Sequence, residues 1–258
     1  MTNTDSKSAT TDDQGEFYIG YEASMPSRTA RFVSTAVIAT GCGVAALAVL
    51  VAAGHTRLEG GAFEFGNPQS FSGTLVERPY PMLRLDGPES RDSSLLLVAP
   101  GKHGADPLVA GLDGHHVSLT GTRILRGGRT MLEVEPASIA ADSTAAASAR
   151  PVVEPRDASV TVTGEVVDSK CFMGVMVPGD GKTHSDCAAL CLRGGIPAAL
   201  YVRDDRAGQS ALVLLAGSQS EAIGPRLSEF AGDAVEVTGI LERTSGWPVV
   251  RVASMRRK

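Results

Sequence analysis

From residue 58 onward the chain alternates apolar and polar positions in short runs. The strings FSGTLV (residues 71–76), GHHVSLTGTRI (114–124) and MLEV (131–134) carry a period of two with β-branched enrichment, as half-buried strands require. SLLLVAPG (94–101) and ALVLLAG (211–217) are nearly unbroken apolar runs, which predicts strands buried on both faces. One earlier segment follows neither pattern. Residues 32–54, FVSTAVIATGCGVAALAVLVAAG, contain no charged side chain and are bounded by Arg31 and by His55 and Arg57. At helical rise the segment spans a hydrocarbon core of roughly 30 Å, which predicts one transmembrane helix over 32–54. A cleaved signal peptide is the competing reading, although both the leader and the apolar run are long for one.

The alternating region repeats itself. FSGTLV matches VTGEVV at 162–167, GHHVSLTGTRI matches GDAVEVTGILE at 232–242, and MLEV corresponds to VVRV at 249–252, in the same order. Five short strands per copy, closed by a V-x-[LV]-T-G strand and a final hairpin, suit a small closed barrel of the OB type, with a β-sandwich as the alternative. The expected fold class is therefore mainly β: one N-terminal transmembrane helix followed by two tandem small OB-like β-barrels. Domain boundaries fall at 1–31 for a tail, 32–54 for the helix, 58–139 and 158–256 for the barrels, and 140–157 for a linker. That linker lies in a stretch rich in Ala, Ser and Pro without apolar periodicity, a composition that permits relative movement of the barrels.

Charge sets the orientation and the compartment. Arg28 and Arg31 precede the helix and Arg57 follows it, so the positive-inside bias puts residues 1–31 in the cytoplasm and exports the barrels. The expected location is a bacterial inner (plasma) membrane, single pass. Phe17, Tyr18 and Tyr21 read as an aromatic anchor just before the membrane, and Thr35, Ala39 and Gly43 form a small-residue stripe on the helix. A net charge of −5 and an aromatic content of 5% leave neither a basic surface nor stacking platforms, so nucleic acid is excluded as a partner.

The two copies differ in one place. The stretch from Gly164 to Gly239 is much longer than that from Gly73 to Gly121, and all the cysteines outside the apolar helix lie in the second copy just after its first strand. Their spacing with the local histidine is C-x12-H-x2-C-x3-C: Cys171, His184, Cys187 and Cys191. A helix through DCAALCL, capped by Ser185 or Thr183 and stopped by Gly194 and Gly195, places positions 184, 187 and 191 on one face, and Cys171 closes the set from the preceding strand. This Cys/His-bearing helical insertion offers a Cys3His set suited to zinc, or a thiolate-rich copper(I) site with Met173 and Met176 nearby. Asp168 reads as a turn-capping residue or as an acceptor behind His184. A simple disulfide from Cys171 to Cys187 or Cys191 is the structural alternative, and it leaves one of three thiols over.

Other chemistry is poorly supported. No C-x-x-C-H haem attachment is present, and one histidine is too few for a Rieske centre. Lys102 and His103 in GKHGAD read as exposed turn residues, His115 and His116 face opposite sides of a strand, and no Ser/His/Asp set or paired carboxylates are discernible.

The motif G-x-V-x-D-x-x-C, then H-x-x-C-A-x-x-C-x-x-G-G-x-P, resembles one in small bacterial exported barrel domains with no assigned activity. The matching residues are Gly164, Val166, Asp168, Cys171, His184, Cys187, Ala188, Cys191, Gly194, Gly195 and Pro197. The resemblance covers the last hundred or so residues and implies an exported OB-like domain. Together these readings predict a non-enzymatic membrane-anchored accessory subunit with a Cys/His metal or redox site, serving other membrane protein subunits. A thiol–disulfide or metallochaperone protein and a disulfide-stapled scaffold are the alternatives.

Overall fold

The structure, a computed structural model, describes residues 25–55, 60–86, 94–141, 153–204, 209–244 and 246–258. The aromatic cluster at Phe17, Tyr18 and Tyr21, Arg57 and most of the linker lie outside the described residues. Two compact units are present, Met1–Leu58 and Glu59–Lys258.

The first unit contains α1 (Ser27–His55), which starts one turn earlier than the apolar run alone predicts. It is exposed all round, with Phe32 at 74% and Leu50 at 70%, and its length and composition suit a membrane span or a signal sequence. Within it, the Thr35 hydroxyl donates to the Arg31 carbonyl at 2.8 Å, so this polar side chain is satisfied without leaving the helix.

The second unit is built from strands β1 (Ala62–Phe63), β2 (Gln69–Val76), β3 (Met82–Leu85) and β4 (Ser94–Val98), a short helix α2 (Asp106–Val109), and strands β5 (His116–Arg126), β6 (Arg129–Val134) and β7 (Ala140–Ala141). It continues with β8 (Val153–Asp168), α3 (Ser185–Arg193), β9 (Ala198–Asp204), β10 (Gln209–Ala216), α4 (Gly224–Leu227), β11 (Ala234–Thr244) and β12 (Trp247–Arg257). Strands β2, β3, β4, β6 and β5 close into one barrel, and β8, β9, β10, β12 and β11 into another. The strand order is the same in both, including the parallel pairs β4 with β6 and β10 with β12. The short strands β1 and β7 add to β5, outside the closed ring.

The glycines that mark both barrels have a steric reason. A Cβ on Gly73 would lie 2.1 Å from the Arg84 carbonyl oxygen, and one on Gly164 would lie 2.6 Å from that of Tyr201. The neighbouring strand crosses too closely for any side chain there, as the strong coiling of a five-stranded barrel demands.

Three apolar clusters account for the packing. Leu75, Leu83, Leu97, Leu119 and Leu132 fill the first barrel, and Val166, Leu200, Leu215, Val237 and Val250 fill the second. A third lies between the barrels: Val76, Tyr80, Met82, Leu96 and Ile124 pack with Val167, Phe172, Ile196, Leu214 and Trp247. This explains the unbroken apolar runs in β4 and β10. Alternate side chains point into the barrel while the rest enter the seam, so both faces are buried.

Polar groups in the seam are also paired across it. The Tyr80 hydroxyl donates to the Leu215 carbonyl at 2.6 Å and accepts from the Ala198 amide at 3.3 Å, and Trp247 Nε1 donates to the Ser94 carbonyl at 3.1 Å. Lys170, 2% exposed, donates to the carbonyls of Ala99 (2.8 Å) and Gly101 (2.7 Å) and forms an ion pair with Glu133. The barrels are therefore one packed body, in contrast to the freely jointed pair that the linker composition permitted. Linker composition carries no information on the faces that the two barrels present, and the apolar faces of β4 and β10 hold them together.

Candidate metal centre at the seam of the barrels

The site forms where β8 ends. Asp168, the last residue of the strand, is fully buried and divides its two oxygens. Oδ1 accepts the Cys171 amide at 2.8 Å, which starts a π-helical turn over Cys171–Val175, and Oδ2 meets His184 Nε2 at 3.1 Å. The carboxylate thus both caps the turn and holds the imidazole. His184 closes a 3-10 turn (Lys182–His184) and leads into α3, whose N-cap position it occupies. No side chain caps this helix; the Ser185 hydroxyl donates to the Lys182 carbonyl at 2.9 Å, so the expected Ser185 or Thr183 cap is replaced by the 3-10 turn.

The helix places Cys187 and Cys191 one turn apart on one face. Their sulfurs and that of Cys171 all lie within 4.8 Å of one another. Asp168, Cys171 and His184 form a second group under the same limit, so Cys171 belongs to both. His184 does not join the three sulfurs as a fourth ligand at that separation, because its ring is turned to Asp168. Cys171 and Cys191 are buried, Cys187 is half-buried, and all are free thiols. Met173 is packed in the seam, whereas Met176 is 45% exposed.

A residue that the sequence pattern assigned to a plain turn completes the site. Lys102, in the loop after β4 of the first barrel, brings Nζ to 2.7 Å from Cys187 Sγ and 3.7 Å from Cys191 Sγ. The loop is held against the turn that ends α3. Gly104 donates its amide to the Gly194 carbonyl at 3.0 Å, and a Cβ on Gly194 would lie 1.8 Å from the Lys102 carbonyl oxygen. The two glycines of the motif stop the helix, with Gly195 at φ 92°, and also admit the other barrel's backbone. Linear spacing carries no signal for Lys102, since it comes from the other barrel.

Charge is distributed unevenly over the three sulfurs. The Cys171 thiol donates to Cys191, and this bond, burial and the nearby Asp168 carboxylate hold the Cys171 pKa far above the ordinary thiol range. Cys191 is its counterpart: the same hydrogen bond, aided by the Lys102 ammonium, outweighs burial and lowers it to about 7. The hydrogen bond to Cys187 raises Lys102, and the hydrogen bond to Asp168 raises His184 against the effect of burial. The cluster is thus a thiol that resists ionisation, a second that ionises near neutral pH and a third sulfur beside a cation, a set that can take up a soft or borderline metal ion or undergo thiol oxidation.

Fold and site together define a class: a pair of closed β-barrels fused along an apolar seam, with a three-thiol cluster at its edge and an apolar helix ahead of them. No protein-family model matches the chain, and no curated protein matches it.

Proposed function

We propose that this protein is a membrane-anchored accessory subunit whose barrel pair holds a metal ion on Cys171, Cys187 and Cys191. The convergence of three sulfurs within 4.8 Å carries the reading. A tetrahedral zinc thiolate with bonds of about 2.3 Å separates its sulfurs by about 3.8 Å, so sulfurs within 4.8 Å of one another need to close by no more than about 1 Å. Zinc with a fourth ligand from outside the cysteines and three-coordinate copper(I) both suit the donor set. His184 then acts behind the sulfurs with Asp168, ordering the turn that carries Cys171. The protein is read as non-enzymatic: the three sulfurs are assigned to holding an ion and not to turnover.

The wider assignment rests on pattern. The strand order shared by the two barrels supports tandem OB-like copies, with residues 169–197 as an insertion in the second. The apolar α1 with Arg28 and Arg31 ahead of it supports anchoring in a bacterial plasma membrane with the barrels exported, beside the other membrane subunits they serve. Metal analysis of the full chain in detergent tests the site. About one equivalent of zinc or copper, lost in Cys187→Ser and Cys191→Ser, is expected; a stoichiometry that neither substitution changes rejects it.

The lowered pKa of Cys191 favours thiol–disulfide exchange as a second reading. Its mark is rapid alkylation of one thiol near neutral pH in the metal-free protein, together with a disulfide that forms and opens reversibly.

A further inference from the structure

Lys102 and Cys187 stand closer than a hydrogen bond between them explains. Nζ and Sγ are 2.7 Å apart. Even a charge-assisted N–H···O bond is about 2.7–2.9 Å long, and sulfur, the larger acceptor, should hold a donor farther away. The separation is instead close to what one atom bonded to both would impose. Crowding does not force it, since Lys102 is exposed on its loop and Cys187 is half-buried. Dioxygen can therefore reach both atoms. The backbone is fixed on each side, by the Gly104 amide on the Gly194 carbonyl and by the contact of Lys102 O with Gly194.

We propose that Lys102 and Cys187 form a covalent nitrogen–oxygen–sulfur bridge that ties the first barrel to α3. The reactants are the ammonium, the thiolate and one dioxygen; the products are the bridge and one water. The O–O bond and two N–H bonds break, and an N–O and an O–S bond form. Nitrogen and sulfur each give up two electrons, and these four reduce both oxygen atoms. Two of the ammonium protons leave in the water, and the third stays on nitrogen. Two equivalents of a dithiol return the four electrons, releasing lysine, cysteine and a second water. Cys191 is the poorer partner, 3.7 Å from Nζ and buried. Bridging withdraws Cys187 from the three-sulfur set, so oxidation shuts the metal site; that consequence rests on the proposed function, whereas the bridge itself does not.

The test uses the full chain in detergent, stripped of metal, with one portion exposed to air and another kept in dithiol. Peptide mass spectrometry of the air-exposed portion should find the Lys102 and Cys187 peptides joined, at their summed mass plus about 14 Da for one oxygen gained and two hydrogens lost. The joined species should vanish with dithiol and be absent from Lys102→Arg and Cys187→Ser. Recovery of Cys187 only as a free thiol, a sulfur oxyacid or a disulfide overturns the proposal, as does a bridge found only at Cys191. Metal uptake by the reduced portion is measured alongside: bridging without uptake upholds the bridge and rejects the metal site, and uptake without bridging does the reverse.

Discussion

Replacing Lys102 with Met removes a cation from the sulfurs while keeping much of its stem. The ammonium lies 3.7 Å from Cys191 Sγ. Two unit charges at that distance attract by about 4.5 kcal/mol at an effective dielectric of 20 and about 1 kcal/mol at that of water. Lys102 is exposed, so solvent screens it and the lower figure is the better guide. That corresponds to a rise of about one pKa unit at Cys191, from about 7 towards the ordinary thiol value near 8.5. The assay follows thiolate absorbance and alkylation rate against pH, with Cys187→Ser and Cys171→Ser backgrounds to assign the titration. Stability shifts with it. A depressed thiol pKa contributes stability that is present above the unfolded value and is lost as pH falls through about 7, so the Lys102→Met deficit should be largest above about pH 8.5. A titration that stays in place within about 0.3 units on losing Lys102 refutes the claim that the first barrel adds to the lowering that the Cys171 hydrogen bond begins.

Three further outcomes follow from the seam and the site. Trp247→Ala removes a side chain that is 2% exposed between the barrels and should cost about 3–5 kcal/mol in chemical denaturation, with both barrels unfolding in one transition; two separate transitions would contradict the shared core. Gly194→Ala puts a methyl group 1.8 Å from the Lys102 carbonyl oxygen, so the loop must move, and the Cys191 titration should shift upward as it does in Lys102→Met. His184 has a raised pKa through Asp168, so its contribution is fully present below its ordinary value of about 6.5 and fades as pH rises through the folded value. The stability gap between the native chain and His184→Gln should therefore narrow above neutral pH, and a gap independent of pH would count against that bond.

Much of this architecture is visible in single residues of the sequence. The Thr-Gly signals at Gly121 and Gly239, like Gly73 and Gly164, mark strands that others cross closely, and such sites tolerate no side chain. Cys187 and Cys191 are one helical turn apart, so their convergence needs only a helix. What remained hidden depends on contacts between barrels. Leu96 and Leu97 look alike in the sequence, yet Leu97 fills a barrel and Leu96 the seam. Lys102 and Lys170 carry no periodic signal, and both act across that seam. His184 falls at the right spacing for a ligand, but the buried Asp168 carboxylate competes for its ring, and no spacing rule weighs that competition.

X-ray absorption at the metal edge of the loaded full chain tests the central claim most directly. About three sulfur ligands at about 2.3 Å are expected, falling to two in Cys187→Ser while His184→Gln leaves the sulfur count unchanged. A first shell made mainly of nitrogen and oxygen, or one indifferent to Cys187, would contradict it.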